Sequence, residues 1–75
     1  MTPAQCRAAR GLLDMTQQAL AERAGVGRTT VRAFEAGSNS HRSQREAIRT
    51  ALVGRGVEML DGERPGVRFA LEATH

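Results

Sequence analysis

The sequence predicts a mainly α fold: four short helices followed by a C-terminal β-hairpin. Three observations carry that expectation. Through the first two-thirds of the chain, apolar residues return at spacings of three and four, the period of helices with one buried side. Helix-start and helix-stop residues punctuate the same region: Thr2-Pro3, Thr16 and Ser43 open segments, and Asp14, Gly25 and Gly54 close them. Beyond Gly56 the pattern changes to two short β-prone runs around a turn-rich stretch.

Length and composition set bounds. Seventy-five residues allow one small domain with a thin core. With no Trp or Tyr and only Phe34 and Phe69, that core must be built from Leu, Val, Ile, Ala and Met. All eleven basic residues are Arg. Nine of them fall in residues 1–56 against four carboxylates, a net +5, whereas residues 57–75 carry −2. A basic body with an acidic tail suits a polyanion on one side only. Cys6 is the only cysteine, which precludes an internal disulfide and fits a reducing, cytoplasmic setting. Neither a membrane-length apolar run nor a signal-peptide pattern is present.

The first helix is expected over Pro3–Leu13. Thr2-Pro3-Ala4-Gln5 reads as a capping box with Pro at the first helical position. Its inward stripe is Cys6, Ala9, Arg10 and Leu13, and Asp14 ends it. The second helix starts at Gln17 under a Thr16 cap and turns Leu20, Ala21 and Ala24 inward. Gly25 supplies the positive φ of the turn, Val26 plugs it, and Gly27 is a weak cap for a third helix. In that helix Val31, Phe34 and Glu35 share one stripe, and Arg28, Thr29, Arg32 and Ala33 share the other. A helix burying one side and showing Arg and Thr on the other is a candidate for insertion into a DNA groove.

The residues Thr16, Gln17, Leu20, Ala21, Gly25, Val26, Val31, Glu35 and Gly37, in that register, resemble the helix-turn-helix of the phage-repressor-like, Cro/repressor-type (Xre) transcription factors. With its flanking helices the resemblance covers roughly residues 3–54. It implies a four-helix repressor-like DNA-binding domain, usually acting as a dimer. Arg10 and Glu35 are misplaced charges on apolar stripes. Each can snorkel to solvent or partner the other, and the resemblance implies a structural ion pair.

After Gly37 comes a polar loop through Arg42. A fourth helix is expected over Gln44–Val53, opened by a Ser43–Glu46 capping box, with Ala47, Ile48, Ala51 and Leu52 facing in. Arg45 stands where the family usually has an apolar residue, so a looser or displaced helix start is expected. The tail reads as strands Val57–Leu60 and Val67–Leu71 around Asp61–Gly66, with residues 73–75 frayed; a disordered extension is the alternative. The domain division is thus 1–56 for DNA binding and 57–75 for the hairpin.

From these readings follows a sequence-specific, double-stranded DNA-binding transcriptional regulator, a repressor, on a (pseudo)palindromic operator. Arg28, Thr29, Arg32 and Ala33 are the expected base readers. Gln17, Gln18, Thr30, Asn39 and Arg42 are the expected phosphate contacts. A homodimer is expected through the hairpin residues Val57, Met59, Leu60, Val67, Phe69 and Leu71; helix four with its preceding loop is the competing surface. An antitoxin-type autoregulator, a restriction–modification controller, and an interaction module that has lost DNA binding are the alternatives. Cofactor, metal, small-molecule ligand and membrane partners are not expected, and neither is enzymatic activity. Cys6 lacks further metal ligands, and His41 lacks a nucleophile or carboxylate beside it.

Overall fold

A computed structural model describes residues 1–38 and 40–70. The order of elements is α1 (Pro3–Leu13), α2 (Gln17–Ala24), α3 (Arg28–Glu35), α4 (Arg42–Val53), β1 (Val57–Leu60) and β2 (Gly66–Phe69).

The local chemistry at each boundary is simple. Thr2 Oγ1 accepts from the Gln5 N–H at 3.0 Å while Gln5 Oε1 accepts from the Thr2 N–H at 2.8 Å, closing a reciprocal capping box on α1. Asp14 ends that helix in the left-handed region, φ 52°, which a short polar side chain tolerates. Thr16 Oγ1 caps α2 by accepting from the Ala19 N–H. Gly25 closes α2 at φ 72°, where a side chain would be strained, and turns the chain into α3.

The start of α4 differs from expectation. The helix begins at Arg42 with His41 in extended backbone at its cap, so the Ser43–Glu46 box does not open it. Gln44 Oε1 instead reaches back to the His41 N–H at 3.4 Å, and Arg45 donates to the Ser40 carbonyl. Those contacts hold the first turn two residues earlier than Ser43 would. A polar contact at Arg45 takes the place of the apolar anchor that the family resemblance would put there.

The tail forms a two-stranded antiparallel hairpin pairing Val57 with Phe69, Glu58 with Arg68, Met59 with Val67 and Leu60 with Gly66. β2 starts one residue earlier than expected and ends at Phe69; Leu71 lies outside the described residues. Alternation puts Val57, Met59, Val67 and Phe69 on one face. That face lies on the helices: Val57 and Met59 join Cys6, Ala9, Leu20, Val31, Phe34, Ile48 and Leu52 in a single core, with Val67 packed against it. The opposite face carries the exposed Glu58–Arg68 ion pair, 3.0 Å between Glu58 Oε1 and Arg68 Nε.

Gln5 fastens the hairpin to α1. Only 3% exposed, it donates through Nε2 to the carbonyls of Leu60 (2.7 Å) and Gly66 (3.0 Å), the last pair before the hairpin loop. A buried amide with both ends satisfied avoids the desolvation cost of unpaired polar atoms.

Candidate nucleic-acid interface

The candidate interface lies on α3. Val31, Phe34 and Glu35 are buried, which fixes the rotation of the helix and leaves Arg28, Thr29 and Arg32 exposed. Ala33 and Thr30 sit half-buried on the flanks of that face. Among the described residues, neither Arg28 nor Arg32 enters a hydrogen bond or ion pair with another side chain. Arg28 occupies the first position of α3, where the positive end of the helix dipole makes a cation unfavourable. Fold stability therefore gives no reason for it, whereas an approaching polyanion does.

Beneath this face lies the carboxylate of Glu35, which collects four side-chain donors from two other helices. Oε2 accepts from Arg10 Nε (2.7 Å) and Cys6 Sγ (3.1 Å); Oε1 accepts from Arg10 Nη2 (2.7 Å) and Gln17 Nε2 (3.0 Å). Arg10 also donates to the Met15 carbonyl at 3.0 Å, and Arg7 donates to the backbone carbonyl of Glu35. Burial alone would raise the Glu35 pKa, but the donors, Arg10 foremost, hold it below the ordinary glutamate value. The same contact raises Arg10. Burial, then the neighbouring carboxylate, pushes the Cys6 thiol up, so it is an inert donor within the core. The network fastens α1, the start of α2 and the end of α3 at one point and sets the pose of the exposed arginines.

Both glutamines expected at phosphates have partners inside the protein. The Gln17 amide turns inward to Glu35, and Gln18 Nε2 donates to Glu22 Oε2 at 3.0 Å. With Ala19 N–H capped by Thr16 and Leu20 N–H bonded to the Thr16 carbonyl, the unused donors at this end are the backbone N–H groups of Gln17 and Gln18. They stand at the positive end of the α2 dipole.

Arg42, at the start of α4, is exposed and lines a cavity of about 180 Å³ with Met1, Arg45, Glu46 and Arg49. Arg42, Arg45 and Arg49 follow helical spacing, so the cationic stripe is readable once α4 is placed; of the three, only Arg42 is an expected phosphate contact. Asn39 lies outside the described residues. Of the expected pairing residues, Val57 is 1% and Met59 8% exposed, both committed to this chain's own core; Leu60 and Val67 are half-buried, and Phe69 is 52% exposed. Among the described residues there is no group of three or more His, Cys, Asp or Glu that could hold a metal ion, and no helix long and apolar enough to cross a membrane.

Comparison with curated proteins gives no match. A family model described as helix-turn-helix matches residues 7–47, more than half of the chain, spanning most of α1, all of α2 and α3, and the first half of α4. Those are the elements joined by the Glu35 network and carrying the exposed arginines. The chain belongs to the helix-turn-helix family of Cro/C1-type, Xre-like transcription regulators, and its partner is double-stranded DNA.

Proposed function

We propose that this protein is a cytoplasmic transcriptional repressor that binds a two-fold-related operator as a homodimer and inserts α3 of each copy into the major groove. The observation that carries the reading is the exposed Arg28–Thr29–Arg32 face on a helix whose other side is locked into the core. Arg28 would bond a guanine edge bidentately, with Thr29 and Arg32 as further base readers and Ala33 touching a thymine methyl; the exposure of Arg28, Thr29 and Arg32 supports this. Phosphates on either side would be held by the free N–H groups of Gln17 and Gln18, by Thr30 and by Arg42. Asn39 completes the proposed set. Residues 1–56 supply the DNA-binding face, and the hairpin packs mainly on α1 and α4, which supports a pairing role away from the exposed side of α3.

A repressive mode follows from economy: occupying a promoter requires only DNA binding. Two copies are needed because one helix-turn-helix reads too few base pairs to outcompete a genome of non-specific sites. Two-fold pairing would set the recognition helices about 34 Å apart, one DNA turn. The test is selection of bound genomic fragments followed by footprinting at several salt concentrations. A protected site with two half-sites one turn apart is the expected result. Binding with no sequence preference, or a lone half-site at full affinity, overturns the reading.

A further inference from the structure

We propose that the outer edge of β1 pairs antiparallel with β1 of a second copy of this chain, making a four-stranded sheet across the dimer axis. This rests on the dimeric reading above and specifies the surface. That surface is not the apolar face of the hairpin, which is already spent on the chain's own core.

The ladder pattern identifies the free groups. The Ala70 N–H donates to the Gly56 carbonyl at 2.8 Å, which makes Gly56–Ala70 a hydrogen-bonded pair in the observed register. Such pairs alternate along an antiparallel ladder. Glu58 and Leu60 therefore spend their backbone groups on β2, while the N–H and C=O of Val57 and Met59 point away from it. β1 thus offers two donors and two acceptors in strand geometry, the arrangement that an extended chain satisfies.

Beside that edge runs a groove of about 340 Å³ lined by Arg49, Val53, Val57, Glu58, Met59 and Ala70. Val53, in the last turn of α4, is 43% exposed, an apolar residue on the rim. α3 lies elsewhere: its packing partners are α1, α2 and α4. A copy seated on β1 leaves the recognition helix free.

Charge selects a second copy, and selects antiparallel. Arg55 stands just before β1, and Asp61 and Glu63 just after it, all three exposed. Among the described residues none of them is in an ion pair. Antiparallel self-pairing of β1 brings the Arg55 end of each copy to the end where Asp61 and Glu63 of the other lie; parallel pairing would set like on like. The central Glu58 has its charge already matched by Arg68 of its own copy.

The test uses the full chain without DNA, its dimer dissociation constant read by sedimentation equilibrium. Arg55→Asp alone and Asp61→Arg with Glu63→Arg should each weaken the dimer by up to about fivefold per pair lost, the upper range for exposed ion pairs. The combined charge-swapped protein should regain most of the parent value, a rescue that a general loss of folding would not show. Val53→Glu should abolish the dimer while leaving the thermal midpoint near the parent's at concentrations where both are monomeric, since Val53 is outside the core. A dimer indifferent to all three changes overturns the β1 edge and leaves the dimeric reading standing. A parent chain that is monomeric both free and on DNA overturns both.

Discussion

The side-chain amide of Gln17 donates to Glu35 Oε1 at 3.0 Å, linking the first turn of α2 to the last residue of α3. Arg10 grips both oxygens of the same carboxylate from α1. The angle between the two helices of the motif is therefore set by a charge buried beneath them, and the arginines on the outer face inherit their positions from it.

Arg10→Met should destabilise the fold by about 3–5 kcal/mol, because the buried Glu35 carboxylate loses its cation, and Glu35→Gln should cost less, because Arg10 is part-exposed and keeps its bond to the Met15 carbonyl. Arg10→Met and Glu35→Gln in urea denaturation are the measurement. A double-mutant cycle should show strong non-additivity, since both changes act on one interaction. Two single variants as stable as the parent would contradict the role assigned to this pair.

Acid should unlock the same network. A carboxylate whose folded pKa lies below its unfolded one stabilises fully above the unfolded value, about 4.3 for glutamate, and loses that contribution as the pH falls through the folded value. The Glu35 pKa is lowered in the fold, so its contribution is complete at neutral pH and disappears in acid. The stability gap between parent and Glu35→Gln should accordingly be constant from neutral pH to about 5 and shrink below that. A gap independent of pH down to acid unfolding would contradict it.

On DNA, Arg28→Ala should cost about 1–3 kcal/mol on the preferred site and relax the base preference at one position. Gln17→Ala should behave differently. It leaves the N–H groups at the start of α2 in place but removes a donor from Glu35, so it should lower stability by about 1 kcal/mol. Affinity should then fall alike for all sequences. Quantitative gel shifts against single-base operator variants, paired with urea melts, separate the two. An Arg28→Ala protein with unchanged specificity would mean that a different face docks.

Gln5→Leu should loosen the hairpin before it loosens the helices. The change deletes the donor to Leu60 and Gly66 and leaves the Thr2 N–H without its acceptor. A loss of about 1–3 kcal/mol is expected from the groups left unpaired. Amide exchange should rise in residues 57–69 ahead of α2 and α3. Uniform acceleration across the chain would show that the hairpin and helices open as one unit.

Much of this was legible in the residues. The period of the apolar positions, Thr2 and Thr16 as caps, Gly25 at the turn, and the two stripes of α3 are local facts, set by side-chain geometry within a few residues. They place both ends of α1 and α2 and the start of α3 where the structure has them. The α4 start was missed because Ser43 and His41 are both adjacent to a helical run, and only the contacts of Gln44 and Arg45 with the preceding loop decide between them.

What the sequence by itself determined is the set of elements, the exposed Arg28–Thr29–Arg32 stripe of α3, and the basic body against the acidic tail. Each follows from short-range periodicity or from counting charges. What only the tertiary structure decided is where long-range partners go. Gln5 reads as a cap and turns out also to hold the hairpin 55 residues away. Gln17 reads as a phosphate donor and turns out to be bonded to Glu35. Val57 and Met59 read as a pairing surface and turn out to be core. The physical reason is the same in all three: a buried polar or apolar group takes whichever complementary partner packing brings within reach, and sequence spacing does not encode that distance.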